Sequence, residues 1–240
     1  RPEGCRAFLE LDEEDDDDLC EALPGAPPGR TDAHRALGGA AAEVGSGDGD
    51  DVFMSYVSEV RESFKAGDSL ATVVVPANDY RDITLEIVSK LLGSKLGGIY
   101  VTTSRPATHV VAEMKERKAS LNDLYFVDMI SLTVGGETGD PRTVFIDSPT
   151  MLESVLLNVG LLERRIKAKR HFVMFDSVNG LSIYSDTRML KEFMNVLANT
   201  MRLRKTYTMM LTVAEQTPPE LESVLVTLSD RMIRGETGDG

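Results

Sequence analysis

A regular alternation of apolar runs and amphipathic stretches, from residue 52 onward, constrains the fold more than any other feature of this sequence. The apolar runs are nearly continuous, which is typical of strands buried on both faces of a parallel sheet. They span residues 70–75, 98–103, 124–130, 171–175 and 206–213. Two shorter runs predict further strands, at 143–146 and, at the sheet edge, at 230–233.

Amphipathic segments with apolar residues at helical spacing separate these strands. They predict helices at 52–65, 79–92, 106–118, 150–168, 186–204 and 218–228. Met189, Met194 and Met201 share the apolar side of the helix at 186–204, where we expect them to fill gaps in the core. Because strands and helices alternate throughout, right-handed crossovers would build one mostly parallel sheet with helices on both faces. We therefore predict a three-layer α/β domain over residues 52–240.

Residues 1–51 differ sharply in composition from the rest of the chain. They contain 15 acidic and 4 basic residues, a net charge of −11, whereas residues 52–240 carry a net charge of −2. An acidic run at 12–18 and the Pro/Gly-rich and small-residue stretches that follow bury too little apolar surface to offset chain entropy. We expect a disordered acidic tail that serves as a solubilising linker or, alternatively, as a regulatory arm that folds on a basic partner.

The positions of cysteine and histidine argue against metal and disulfide chemistry in the domain. Both cysteines, Cys5 and Cys20, lie in the tail, which fits a reducing cytoplasm. The three histidines, His34, His109 and His171, show no ligand spacing, so we expect no metal site. No apolar run approaches the ~20 residues that a membrane span needs. We expect a cytoplasmic protein that makes no membrane contact.

Ligands of open α/β sheets bind outside the carboxyl ends of the strands, so the residues that follow each strand are the candidate site. The strand "HFVMFD" ends in Asp176, a position from which a carboxylate can hold Mg²⁺ through water, as a Walker B aspartate does. The alternative is an aspartate that only caps a buried strand. Ser104 and Ser177 also follow strands, but no histidine accompanies either, and we expect structural hydroxyls.

The order of the elements supplies a more specific interpretation. The blocks "GGIYVTTSRPATHVVAEMKER", "LYFVDMISLTVGGE", "FVMFDSVNGLSIYSD" and "TMMLTVAE" follow one another with compatible spacing. Together they resemble the RecA/KaiC-like branch of the P-loop ATPases, over residues 52–233. The resemblance implies a RecA-type core and, in intact members, ATP binding at the first strand-to-helix turn.

That turn has lost the residues that grip a triphosphate in the family. Family members carry a loop of the type G-x-x-G-x-G-K-[ST]-T, which falls here on residues 76–84. The lysine position becomes Asp82 and the magnesium-binding hydroxyl becomes Ile83. The glycine positions become Pro76, Asp79 and Arg81. Asp176, Thr84 and Arg81 are what remains of a vestigial nucleotide site.

Two further considerations weaken the case for an ATPase. The family pattern V-T-x-E-E after the second strand falls on residues 101–105, which contain no acidic residue. Replacing lysine by Asp82 changes the local charge by two units, and one like-charge contact at ~4 Å costs about 1 kcal/mol in water and ~4 kcal/mol at an effective dielectric of ~20. The resemblance therefore implies a degenerate Walker A loop, a pseudo-ATPase.

These observations lead to one leading hypothesis and two alternatives. We expect a catalytically inactive RecA/KaiC-like domain, without a cofactor, that acts as a regulatory or protein-interaction module and binds a protein partner or itself. One alternative is a divergent ATPase that binds ATP with Mg²⁺ and recruits Arg81. The other is a nucleic-acid-binding RecA relative. A basic segment at the end of a predicted helix could contact nucleic acid; it contains Arg164, Arg165, Lys167, Lys169 and Arg170. Because the carboxyl end of a helix favours cations, we expect a solvated helix end there and do not expect nucleic-acid binding.

Overall fold

The structure, a computed structural model, describes residues 48–136 and 139–235. The predicted acidic tail, residues 1–51, lies outside the described residues except for its last four. Those four belong to the first helix, which begins at Asp48 rather than at the predicted residue 52.

Seven strands form one parallel sheet in the order β4-β3-β2-β5-β6-β1-β7. The strands are β1 (Leu70–Val75), β2 (Gly97–Thr102), β3 (Leu124–Asp128), β4 (Thr143–Phe145), β5 (His171–Asp176), β6 (Tyr207–Val213) and β7 (Arg231–Ile233). Every strand predicted from the sequence is present, including the two short ones at the edges. Strands β1, β6, β5 and β2 fill the middle of the sheet, where their residues are almost all buried.

Helices cover both faces of this sheet. They are α1 (Asp48–Ala66), α2 (Tyr80–Gly93), α3 (Ala107–Glu116), α4 (Ser131–Val134), α5 (Leu152–Glu163), α6 (Val178–Tyr184), α7 (Thr187–Arg204) and α8 (Pro219–Leu228). Helices α1, α2 and α3 pack on one face in one apolar cluster, and α5, α6, α7 and α8 pack on the other in a second cluster. The predicted three-layer α/β architecture is therefore confirmed.

One helix is shorter than the sequence pattern suggests. The predicted helix at 150–168 ends at Glu163, and the residues that follow form a turn. The carboxylate of Asp123 explains the difference, because it accepts hydrogen bonds from the backbone N–H groups of Lys167 and Ala168 and holds them outside the helix. The expectation that the basic segment closes a helix was therefore wrong for most of its residues, which lie in the connection to β5.

The helix after Asp186 begins where the sequence predicts, because aspartate is a typical N-cap residue. The Asp186 side chain accepts a hydrogen bond from the backbone N–H of Met189, which satisfies one free donor of the first turn. Met194 and Met201 are buried in the core, as expected, but Met189 is largely exposed. Met189 precedes the first buried residue of α7 and lies beside the apolar face rather than on it.

Two adjacent glycines allow β2 to lie in the crowded centre of the sheet. A Cβ atom at Gly98 would lie 2.6 Å from Cζ of Phe172 and 3.0 Å from Cδ1 of Leu124. We expect Gly98→Ala to lower the free energy of unfolding by about 1–3 kcal/mol, the usual cost of overpacking. Urea-induced unfolding measures the change.

The matched control is Gly93→Ala, in the last turn of α2, where nothing lies within 4 Å of the added methyl group. It should leave stability unchanged or raise it by up to about 1 kcal/mol, because alanine is the better helix former. Equal effects of the two substitutions would show that the sheet accommodates the extra methyl group freely.

Candidate functional site

The carboxyl ends of the central strands bring together the residues that the sequence placed after each strand. Asp176 ends β5, between β2 and β6, and is completely buried. Its carboxylate accepts hydrogen bonds from the hydroxyl groups of Tyr80, at the start of α2, and Tyr100, in β2. Nη2 of Arg105, in the loop after β2, lies 3.6 Å from Oδ2 of the same carboxylate. Three separate elements of the chain therefore converge on Asp176.

The surroundings of Asp176 act on its pKa in opposite directions. Burial raises the pKa of this carboxyl group to about 8, because an ionised carboxylate loses its hydration. The two tyrosine hydroxyls and the nearby guanidinium favour the ionised form and oppose that shift. Burial also raises the pKa of Tyr100 to about 12, so its hydroxyl remains a donor at neutral pH. The protonation state of Asp176 therefore depends on its burial and on these three side chains, because the carboxyl group has no contact with solvent.

A second carboxylate extends this cluster toward the surface. Glu113, on α3, forms ion pairs with Arg105 at 2.7 Å and with Arg81 at 3.4 Å. Arg81, which the sequence proposed as a possible anion ligand, therefore faces a carboxylate. Thr84, the other retained loop residue, is buried, and its hydroxyl donates to the backbone carbonyl of Tyr80 within the first turn of α2.

The loop after β1 is held by a side chain from the segment after β6 and by a bond within its own backbone. The backbone N–H of Ala77 donates to Oε2 of Glu215 at 3.0 Å, and the N–H of Asp79 donates to the carbonyl of Pro76 at 3.2 Å. A carboxylate of the chain thus occupies an amide that in a phosphate loop would face the ligand. Asp82, which the sequence resemblance aligns with the lysine of the family, forms an ion pair with Arg117.

A cavity of about 320 Å³ opens beside this loop, lined mainly by hydroxyl, amide and small apolar groups. Ser177 lines it, and the Ser177 side chain accepts a hydrogen bond from the N–H of Gly180, which caps α6. Asn179 also lines it, and its Oδ1 accepts hydrogen bonds from the hydroxyl of Thr212 and the N–H of Val213. These bonds give both residues structural roles, as expected for Ser177 from the sequence.

Asp128, at the end of β3, shows how a purely structural aspartate is satisfied in this protein. Its two oxygens accept hydrogen bonds from the backbone N–H groups of Ala107, Ile130 and Ser131 and from the Ser131 hydroxyl. Asp176 differs, because its partners are all side chains whose substitution leaves the backbone intact. The contrast makes Asp176 the more informative residue to test.

Sequence reasoning missed the two tyrosines that bind Asp176. Tyr80 lies within residues 76–84, at a position that the loop motif leaves variable, and Tyr100 lies within an apolar strand, where an aromatic residue is typical of a core. The pairing of Ala77 with Glu215 was also beyond reach, although the sequence did place both residues at strand ends. The signal that could have found Tyr100 is its hydroxyl, since a buried tyrosine hydroxyl usually has a partner.

Metal-ligand clusters and membrane-spanning helices are both absent from the described part of the chain. Within residues 48–136 and 139–235, no group of three His, Cys, Asp or Glu side chains is arranged to hold a metal ion. In the same residues, no helix combines the length and apolar character that crossing a bilayer requires.

Comparison with known proteins adds structural but not sequence relatives. No protein-family model matches the sequence, and no curated protein sequence matches it. The uncharacterized protein PH0321 from Pyrococcus horikoshii, solved in complex with an unknown peptide, is 14% identical, with a TM-score of 0.52 over 78% of this chain and 86% of that one.

Two further solved structures are similar at lower scores. The KaiC-like protein PH0186 from Pyrococcus horikoshii OT3 is 15% identical, with a TM-score of 0.48 over 66% of this chain and 68% of that one. The flagellar accessory protein FlaH from Methanocaldococcus jannaschii is 14% identical, with a TM-score of 0.49 over 72% of this chain and 74% of that one. At such identities likeness concerns the fold alone.

The fold and the position of the site together define the class of this protein. A seven-stranded parallel sheet with helices on both faces, and a candidate site at the carboxyl ends of its central strands, is the RecA-like α/β fold. The architecture implied by the sequence resemblance is therefore present.

Asp176→Asn tests the buried carboxyl group. The pKa of Asp176 in the folded chain, about 8, exceeds its ordinary value of 3.8. The folded state then binds the proton more tightly than the unfolded state, so this group makes the wild-type protein lose stability as pH rises from about 4 to about 8. We expect the free energy of unfolding of Asp176→Asn, relative to wild type, to rise by at least about 1.4 kcal/mol, one pKa unit, between acidic and alkaline pH.

Urea unfolding at about pH 5 and about pH 9 measures this difference. The control Glu220→Gln removes an exposed carboxylate and should reproduce the wild-type pH dependence. Parallel profiles of Asp176→Asn and wild type would show that the tyrosines and Arg105 keep Asp176 ionised in the folded state.

Proposed function

We propose that this RecA-like domain neither binds nor hydrolyses ATP and acts instead as a regulatory, protein-interaction module. The observation that carries the proposal is that both halves of the former nucleotide site engage side chains of the chain itself. The Tyr80 hydroxyl binds the carboxylate of Asp176, and the carboxylate of Glu215 binds the amide of Ala77. A nucleotide would have to displace both contacts before it made any of its own.

The charges around the loop oppose a triphosphate. Asp82 and Glu215 place two carboxylates at or beside the loop where the family has a lysine. The first turn of α2 attracts anions by only ~0.3–1 kcal/mol per charge, whereas one like-charge contact at ~4 Å costs about 1–4 kcal/mol. The repulsion is larger than the attraction, so ATP in the usual pose is disfavoured.

The magnesium side of the site is also altered. Nη2 of Arg105 lies 3.6 Å from Oδ2 of Asp176, and the two tyrosine hydroxyls use the same carboxylate. A hydrated Mg²⁺ ion would have to compete with a fixed positive charge and two donors. Residues 101–105 also offer no carboxylate to activate an attacking water.

A protein-binding role is supported by a bound peptide in another protein of similar fold. PH0321, which shares the fold, was solved with an unknown peptide bound. For the present chain we propose the same class of ligand, a segment of a partner protein, in place of a nucleotide.

Equilibrium binding of a fluorescent ATP analogue, with Mg²⁺ present, tests the loss of nucleotide binding. We expect no anisotropy change at micromolar analogue and no rise in melting temperature with excess ATP, because a ligand that binds only the folded state would stabilise it. Asp176→Asn and Arg81→Ala should behave like wild type in both measurements, since neither residue has a nucleotide to hold.

Mg²⁺-dependent phosphate release separates this proposal from a divergent ATPase. We expect release at the rate of the buffer alone. Turnover by the wild-type chain that disappears in Arg81→Ala or Asp176→Asn would overturn the proposal and establish that the altered loop still works.

A further inference from the structure

Helices α5 and α7 lie side by side on one face of the sheet and leave a groove between them. Both helices run toward the amino edge of the sheet, opposite the candidate site. A cavity of about 440 Å³ in this groove is lined by residues that include Leu157, Gly160, Leu161, Arg164 and Arg204. The Arg204 guanidinium lies over Gly160, where a Cβ atom would lie 2.8 Å from Nη1.

Both sides of this groove carry exposed aliphatic side chains. On α5, Leu157 is 64% exposed, and Leu161 lies one turn further along. On α7, Met189, Val196 and Leu203 are exposed at intervals of seven residues, and Leu203 is 87% exposed. We call these five residues the α5–α7 stripe.

The α7 part of the stripe is a line along that helix. Residues seven apart on a helix lie nearly above one another, so Met189, Val196 and Leu203 share one side of α7. Arg204 lines the cavity and reaches across to Glu163 of α5 at 3.1 Å. Leu203 points about 100° away from Arg204 around the helix and is 87% exposed, so the line runs along the solvent-facing side of α7.

Positive charge surrounds the amino-edge end of the stripe. The chain reversal after α5 contains Arg164, Arg165, Lys167 and Lys169, and Lys205 follows α7; all five side chains are exposed. Within the described residues, none of the five side chains forms an ion pair with a carboxylate, although the backbone N–H of Lys167 donates to Asp123. Glu163, the acidic residue nearest the groove, already pairs with Arg204 and His171. The surface therefore offers cations without counter-ions beside uncovered aliphatic groups.

The spacing and chemistry of the stripe select one kind of occupant. Apolar residues at seven-residue intervals match the contact repeat of a packed helix. Nucleic acid would use the cations but leave the leucines uncovered, and the stripe contains no aromatic side chain on which a base could stack. An amphipathic helix with leucines on one side and acidic residues beside them satisfies both features.

We propose that the α5–α7 stripe is the docking site for an acidic amphipathic helix of a partner protein. The inference rests on the proposed function in that it names the partner class for a protein-interaction module. The stripe lies at the opposite edge of the sheet from the candidate nucleotide site, so an experiment can refute either proposal without refuting the other. ATP turnover would overturn the proposed function and leave the helix-binding measurement unchanged.

Fluorescence anisotropy of a labelled helical peptide tests the site on the full chain. The peptide presents leucine at i, i+4 and i+7 and glutamate beside these positions, and a control peptide of equal composition spreads its leucines around the helix. We expect saturable binding of the first peptide only. Leu157→Ser/Leu161→Ser should weaken binding by about tenfold or more, because burial of two leucine side chains is lost.

Charge reversal supplies the second comparison. Arg164→Glu/Arg165→Glu should weaken binding by a similar factor and reduce its dependence on salt. The matched control Arg188→Glu/Lys191→Glu changes the net charge equally, at sites about 20–24 Å along α7 from Arg204 at 1.5 Å per residue. This control should bind like wild type.

Three outcomes would overturn the proposal. One is no saturable binding by a wild-type chain that unfolds cooperatively. Another is binding of a single-stranded oligonucleotide that is lost in Arg164→Glu/Arg165→Glu and unchanged in Leu157→Ser/Leu161→Ser, which would assign the surface to nucleic acid. The third is a dimer in sedimentation that Leu203→Ser dissociates, which would assign it to a second copy of this chain.

Discussion

The buried carboxylate of Asp176 is the constraint around which the carboxyl edge of this sheet is arranged. An ionised carboxylate without partners inside a protein costs several kcal/mol, so the surrounding chain must either supply donors or keep the group protonated. Tyr80 and Tyr100 supply donors, and Arg105 adds a positive charge 3.6 Å away, so three different elements contribute. Satisfying one residue therefore ties the start of α2 and the loop after β2 to the end of β5, and it leaves little room for an external ligand at that carboxylate.

The loop after β1 presents the reverse problem, because its backbone N–H groups are donors that need acceptors. Backbone N–H groups at the start of a helix need acceptors, and a phosphate loop reserves them for its ligand. Here the amide of Ala77 binds the carboxylate of Glu215, and Asp82 pairs with Arg117 on the neighbouring helix. The amide of Ala77 and the carboxylate of Asp82 thus already have partners from the chain itself.

The sequence predicted the framework of this fold well and the partners within the site poorly. Apolar runs and helical periodicity are local signals, and they located all seven strands and the long helices. Helix α6 was missed because a side-chain cap on Ser177 starts it within a segment of only seven residues. The end of α5 was misplaced because Asp123, some forty residues earlier in the chain, binds the amides beyond it. Asp176 was identified, but Tyr100 reaches it through the parallel pairing of β2 with β5, and Tyr80 reaches it from the start of α2 after β1; no local pattern encodes either placement.

The two edges of the sheet differ in how much interaction capacity they leave unused. At the carboxyl edge, Arg81 and Arg105 both face Glu113, and Arg105 also lies 3.6 Å from Asp176, so each of these cations has a carboxylate beside it. At the amino edge, cations such as Arg164 and Lys205 stand without carboxylates beside exposed aliphatic side chains. Uncompensated charge beside uncovered apolar surface is where association has most to gain, because binding then neutralises charge and buries hydrocarbon at the same time. In this protein that combination lies at the edge opposite the one where RecA-like ATPases hold their nucleotide.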